Sequence, residues 1–151
     1  MNARAPLLIG AIALSACTSN ESPSSKAIPA PAESPVAVNA QASPWEQARV
    51  RGIAFRGIGN EPGWLVEVGA GDTPALHAEL DYGERKIDIA HVQAHPAGAG
   101  YKGTTGDGVA VELHLQRGNC SDGMSDQTYP VSTRLTVGDK TYAGCGRFLQ
   151  E

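Results

Sequence analysis

The sequence predicts an all-β domain, a small antiparallel barrel of about eight strands behind one short helix, with a two-sheet sandwich as the alternative architecture. Three observations carry this expectation. Apolar residues recur with a period of two from Ile53 to Phe148, and Gly- and Asp-bearing turn signals separate the runs. The connections are short, which favours antiparallel pairing of neighbours, and closure into a barrel removes exposed strand edges from a small domain.

Residues 1–16 have the layout of a signal peptide. Arg4 supplies a positive start, Leu7 to Ala13 form an apolar stretch too short for a spanning helix, and small residues follow. The run Leu14-Ser15-Ala16-Cys17 resembles the lipobox of bacterial lipoproteins. That resemblance implies cleavage before Cys17, diacylation of its thiol and acylation of the new amine. Several chains, each gaining roughly 0.8 kcal/mol per buried methylene, hold a small domain far more firmly than one. An ordinary secretory signal with a chance cysteine is the alternative. Thr18 follows the cysteine, where an Asp would mark inner-membrane retention in enterobacterial sorting. The resemblance thus implies an outer-membrane anchor with the domain facing the periplasm.

Residues 17–42 are rich in Ser, Pro, Ala and Glu, with few large apolar side chains such as Val36 and Val38. Such a segment buries too little to offset the entropy of ordering it, and its prolines favour an extended tether. The texture changes at Ser43, where the domain spanning 43–151 begins. Ser43-Pro44-Trp45-Glu46 reads as a capping box with Pro at the first helical position, and Gly52 lies where the helix ends.

Strands follow. Ile53 and Phe55 begin the alternation, and Trp64, Val66 and Val68 continue it. Leu76, Ala78, Leu80 and Tyr82 form the next row, then Ile87 and Ile89. Val109, Val111, Leu113 and Leu115 share one face, opposite Ala110, Glu112, His114 and Gln116. Tyr129, Val131, Thr133, Leu135 and Val137 follow, and Tyr142 to Phe148 close the chain, with Gly138-Asp139 as a two-residue hairpin turn.

With Cys17 assigned to lipid, Cys120 and Cys145 remain, and an oxidising compartment makes a disulfide the expectation. Closing a loop of about 25 residues is worth on the order of 3 kcal/mol in the chain-entropy model. A reactive or copper-binding pair assisted by Met124 is the rival reading.

Two segments are denser than a generic barrel requires. The first, Phe55 to Trp64, contains Gly57, Gly59 and Asn60-Glu61-Pro62-Gly63 and reads as a tight loop. The second runs from Cys120 through Asp122, Met124, Ser125 and Asp126 to Tyr129-Pro130 and is answered by Gly144-Cys145-Gly146-Arg147. These segments resemble a family of small bacterial envelope lipoproteins without an assigned activity, which share Gly-Asn-Glu-Pro-x-Trp, Cys-x-Asp-x-Met-Ser-Asp, a following Tyr-Pro and a late Gly-Cys. The chain is also broadly similar to META-domain proteins and to membrane-bound C-type lysozyme inhibitors. The inhibitors' Ser-Ala-Ser-Gly-Ala-Arg-Tyr type motif is not present in this sequence.

On the residues themselves, Trp64 reads as core on the Val66 face, and Glu61 as a loop cap or a partner for Arg147 or Arg56. Asp122, Ser125 and Asp126 read as turn-capping groups, and Met124 as a filler of the barrel mouth or core. Asn60, Glu61, Trp64, Asp122, Ser125, Asp126 and Arg147 are the candidate binding residues. An acidic rim around Asn60, Glu61, Asp122 and Asp126 suits a cationic protein partner, with a small ligand as the alternative.

Other chemistries lack support. Sixteen acidic against twelve basic residues, interspersed, give a formal charge of −4 and no basic stripe for nucleic acid. The glycine spacing is wrong for a dinucleotide site, the EF-hand pattern is incomplete and no nucleophile elbow occurs. His77, His91, His95 and His114 include no i, i+2 pair. Surface positions are the expectation for the histidines, with a cross-strand zinc site as the rival. A binding module of unknown ligand is therefore the expectation, not an enzyme, with no metal or cofactor; an inhibitor of a cationic hydrolase such as lysozyme and a small hydrolase or metal-binding protein are the alternatives.

Overall fold

A computed structural model describes residues 42–96 and 99–150. The expected signal peptide, the lipid-bearing Cys17 and nearly all of the tether lie outside the described residues. Helix α1 spans Pro44–Val50; the Ser43 hydroxyl accepts the Glu46 N–H at 3.2 Å, and Gly52 turns the chain at φ +81° just beyond the C-cap. No helix among the described residues is long and apolar enough to cross a membrane.

Nine strands follow: β1 Ile53–Asn60, β2 Gly63–Gly69, β3 Leu76–Leu80, β4 Arg85–Ile89, β5 Gln93–Ala94, β6 Gly100–Thr104, β7 Ala110–Ser121, β8 Thr128–Val137 and β9 Lys140–Phe148. All pairings are antiparallel, in one sheet of order β4-β3-β2-β1-β9-β8-β7-β6-β5. The fold is all-β, as the alternation predicts. A single sheet replaces the sandwich alternative.

Closure departs from expectation. The first and last strands pair, Phe55 opposite Phe148 and Gly57 opposite Gly146, but no ladder joins β4 to β5 among the described residues. The curled sheet stays open along that seam, and side chains cross it instead. A Cβ at Gly103 on β6 would meet Val92 at 2.9 Å and Ile89 at 3.3 Å, so both side chains lie directly on the β6 backbone. Strands β5 and β6 escape the sequence reading because Gln93–Ala94 is two residues long and Gly100–Thr104 carries no apolar alternation.

Inward-facing residues form one core: Phe55, Trp64, Val66, Val68, Leu76, Leu80, Leu113, Val131, Leu135 and Tyr142 are all buried. Tyr82 does not extend the β3 row. Asp81 and Tyr82 both adopt positive φ, at 54° and 60°, in a 3-10 turn, and Tyr82 is exposed. The turn is held because the Asp81 carboxylate accepts from Lys140 Nζ at 2.6 Å and from the Tyr142 hydroxyl at 3.1 Å.

The Phe55–Trp64 segment is a hairpin, not a loop. Strand β1 runs to Asn60, and Glu61-Pro62, with a cis peptide bond, turns the chain into β2. Gly57 and Gly59 serve close packing within β1 rather than a special turn, since neither has positive φ. A Cβ at Gly59 would strike the Trp64 indole nitrogen, and one at Gly144 would strike the Ile58 carbonyl oxygen and come within 2.8 Å of the same indole. The tryptophan lies across two bare strand positions and donates its N–H to the Ala143 carbonyl at 3.1 Å.

Gly144→Ala is therefore expected to lower unfolding stability by about 3 kcal/mol, the upper end of overpacking costs, because the clash is with backbone. Gly106→Ala, with nothing within 4 Å, is expected to change it by less than about 0.5 kcal/mol. Urea midpoints of the two variants check this, and equal midpoints contradict it.

Candidate functional site

The outer face of the sheet is built from the residues that alternate with the core. Arg56 and Arg147 lie opposite each other on β1 and β9, beneath helix α1. The Arg147 guanidinium stacks 4.8 Å from the Trp45 ring and 5.3 Å from Tyr129, and Trp45 and Tyr129 meet at 5.5 Å. Arg56 also lies over Trp45 and pairs with the buried Glu67, to which Arg51 adds two hydrogen bonds of 2.7 and 2.9 Å. This patch is packing. It absorbs Arg147 and Arg56, so neither pairs with Glu61 as the sequence suggests.

Further along the same face a groove of about 1010 Å³ opens. Ala143 and Cys145 of β9, Ser132 and Arg134 of β8, and His114 and Gln116 of β7 form its floor, because the register sets Ser132 between Gln116 and Cys145 and Arg134 between His114 and Ala143. Asn60 and Glu61 line one end together with the Cys120 to Met124 segment. Thr133, buried with its hydroxyl unpartnered, also lines the groove.

Two ties draw the Cys120–Met124 segment over the floor. The Cys120 and Cys145 sulfurs are bonded at 2.05 Å, joining β7 to β9 across β8. Asn60 Nδ2 donates to the Asp122 carbonyl at 3.2 Å. The segment itself is stiffened by Asp122, whose carboxylate accepts from the Ser125 N–H at 2.9 Å, the Met124 N–H at 3.1 Å and the Ser125 hydroxyl. The Ser125 and Met124 amides, with the Ser125 hydroxyl, hold this carboxyl below the ordinary Asp range.

The candidate residues are thus distributed. Asn60, Glu61 and Asp122 meet at the groove beside the disulfide. Ser125 supports Asp122, Asp126 is exposed on the same segment, and Trp64 lies on the core side, its indole N–H bonded to the Ala143 carbonyl of the floor strand. Met124 is 74% exposed and does not fill the core, because its segment arches outside the sheet. The floor residues Ser132, Arg134, His114 and Gln116 were visible in the sequence only as outward strand positions; their adjacency depends on register. No protein-family model, curated protein or solved structure matches the chain.

Replacing both Cys120 and Cys145 by Ser frees a loop of sequence separation 25, and the expected loss is about 3.5 kcal/mol by denaturant unfolding. A loss below about 1 kcal/mol contradicts a bracing role. Asp122 generates a second expectation. Its depressed pKa means that its contribution is complete above the ordinary Asp range and is lost as pH falls through the lower folded value. Carboxyl NMR titration is expected to place Asp122 below an ordinary Asp, with Ser125→Ala moving it partly back upward; an Asp122 midpoint at the ordinary Asp value in the wild-type protein excludes the capping, and an unchanged midpoint in the variant excludes the hydroxyl's share of it.

Proposed function

We propose that this chain is a lipid-anchored lipoprotein of the bacterial envelope whose β domain binds a basic segment of a protein partner in the groove between Glu61 and Arg134, without catalysing a reaction. The observation that carries the reading is the braced groove itself. Its volume of about 1010 Å³ stands at the top of the roughly 300–1,000 Å³ typical of small-molecule sites, which favours a peptide segment over a small ligand. Its acidic end supports a basic guest: Glu61 is exposed, Asp122 stays ionised because its neighbours stabilise the charge, and Asp126 is exposed close by. Arg134 on the floor offers donors to guest carbonyl groups.

The anchor rests on the sequence: the short apolar run ending at Cys17 and the polar, proline-rich residues that follow it. Resemblance to envelope lipoproteins adds support, and Thr18, where an Asp would mark inner-membrane retention in enterobacterial sorting, favours outer-membrane placement. A cationic hydrolase such as lysozyme is one partner of the required charge.

Mass spectrometry of the mature protein is expected to find acyl chains at Cys17, and Cys17→Ser to move the domain into the soluble fraction; an unacylated wild-type protein overturns the anchor. For the groove, a photo-reactive side chain placed at position 124 in cells is expected to give a discrete protein adduct. The same group at position 106 is expected to give none, and Glu61→Lys to abolish the position 124 adduct. Identical adducts at both positions, or an adduct indifferent to Glu61→Lys and to salt, remove the binding reading. Purified basic lysozyme, assayed at low and high salt, tests the hydrolase form directly.

A further inference from the structure

At the His114 end of the groove three potential ligands converge that are remote in sequence. Glu112 and His114 are two residues apart on β7 and share its outward face, and His95 follows directly after β5. The β5–β6–β7 ladder brings them together: the His95 N–H bonds to the Gly100 carbonyl at 2.8 Å, and Gly100 stands opposite His114. A Cβ at Gly100 would collide with the Leu113 carbonyl, so glycine allows the close approach on which this corner depends.

The geometry has the dimensions of a coordination shell. His95 Nε2 and His114 Nε2 each lie 3.3 Å from the same Glu112 Oε1, and the three ligand atoms fall within 4.8 Å of one another. In a tetrahedral shell with metal–nitrogen bonds of about 2.0–2.1 Å, neighbouring ligand atoms stand roughly 3.3 Å apart. Two edges of such a tetrahedron already exist, and the third, at most 4.8 Å, shortens when both imidazoles turn to one ion. The rings are 5.1 Å apart between centroids and tilted, an arrangement that aims both Nε2 atoms at one carboxylate oxygen. His95 Nδ1 is buried without a hydrogen-bond partner, so the outlet of that ring is Nε2.

We propose that His95, Glu112 and His114 form a three-ligand site for a borderline divalent cation, zinc being the probe of choice. Two imidazoles and one carboxylate suit zinc, copper(II) or nickel(II) better than calcium or magnesium, which favour all-oxygen shells. The side chains are 27%, 43% and 44% exposed, so an ion enters from solvent without rearrangement of the fold. Three protein ligands leave one position open, for water or for a donor from a guest in the groove that His114 also lines. Lys102 opposite Glu112 and Arg134 opposite His114 place positive charge nearby, which weakens the site relative to a fully acidic one. The rival account is two histidine–carboxylate ion pairs with no metal.

The test is titration of the full-length oxidised protein with zinc alone, read by native mass spectrometry and calorimetry. One ion per chain is expected. His95→Ala and His114→Ala should each weaken binding by more than the roughly tenfold that loss of even a supporting group costs, and His91→Ala should not. Absence of stoichiometric zinc, or zinc retained equally in both variants, overturns the proposal. Metal-free melting of the variants verifies that they fold, and His114→Gln gives a milder replacement. Binding in the groove is read separately by the position 124 adduct, so failure of the metal site leaves that reading standing.

Discussion

The molecule turns on the close approach of β1 to β9, where beyond the Phe55–Phe148 pair the inner face of the ladder carries no side chains of its own. Gly57, Gly59, Gly144 and Gly146 occupy those positions, and neighbouring rings fill the space. A Cβ at Gly146 would meet the Phe55 ring at 2.6 Å, and the Trp64 indole covers Gly59 and Gly144. Bare backbone under large rings lets the sheet bend sharply where its first and last strands join. Phe55 and Phe148 then meet edge-on at 5.1 Å, and Trp64 reaches Tyr142 at 6.2 Å. Without that join the described strands fall into two separate sheets, β1 to β4 and β5 to β9; with it, one sheet and one core form.

The same join organises the outside. Each inward glycine on β9 implies an outward neighbour, and those neighbours are Ala143, Cys145 and Arg147. Arg147 is claimed by Trp45 and Tyr129, which fastens helix α1 over one half of the face. Cys145 is claimed by Cys120, which fastens the end of the β7–β8 hairpin over the other half. Small Ala143 leaves room between sheet and covering segment. The groove is the space that these two fastenings leave.

How much of this was legible in the sequence follows the range of each interaction. Alternation is local, so the long strands β7, β8 and β9 stand out, as do the capped helix and the Gly138-Asp139 hairpin. The cysteine pair was legible because the expected lipidation of Cys17 leaves two thiols for an oxidising compartment to join. The glycines of the Phe55–Trp64 segment were misleading: glycine signals either a turn or a close approach, and only the position of Trp64 in space distinguishes them. Met124 misled for the opposite reason, since an apolar side chain says nothing about whether its loop lies inside or outside the sheet. His95 and His114 are nineteen positions apart, and Glu112 with His114 on one outward face was the only local sign of their cluster. Their meeting depends on β5 and β6, strands without apolar alternation.

A filled interior decides where a ligand can go. The buried core positions, from Phe55 and Trp64 to Leu135 and Tyr142, are at most 9% exposed, so among the described residues side chains fill the inner face of this curled sheet. The groove lies on the outer face, where a sheet by itself is too flat to enclose anything. Enclosure requires a second layer, and the Cys120–Met124 segment, mostly polar and with its one large apolar residue exposed, has no core of its own to hold it there. The disulfide, the Asn60 side chain and the Asp122 cap provide that hold by other means. A covalent brace at this position therefore does more than stabilise the domain: it converts an open sheet surface into a concave one.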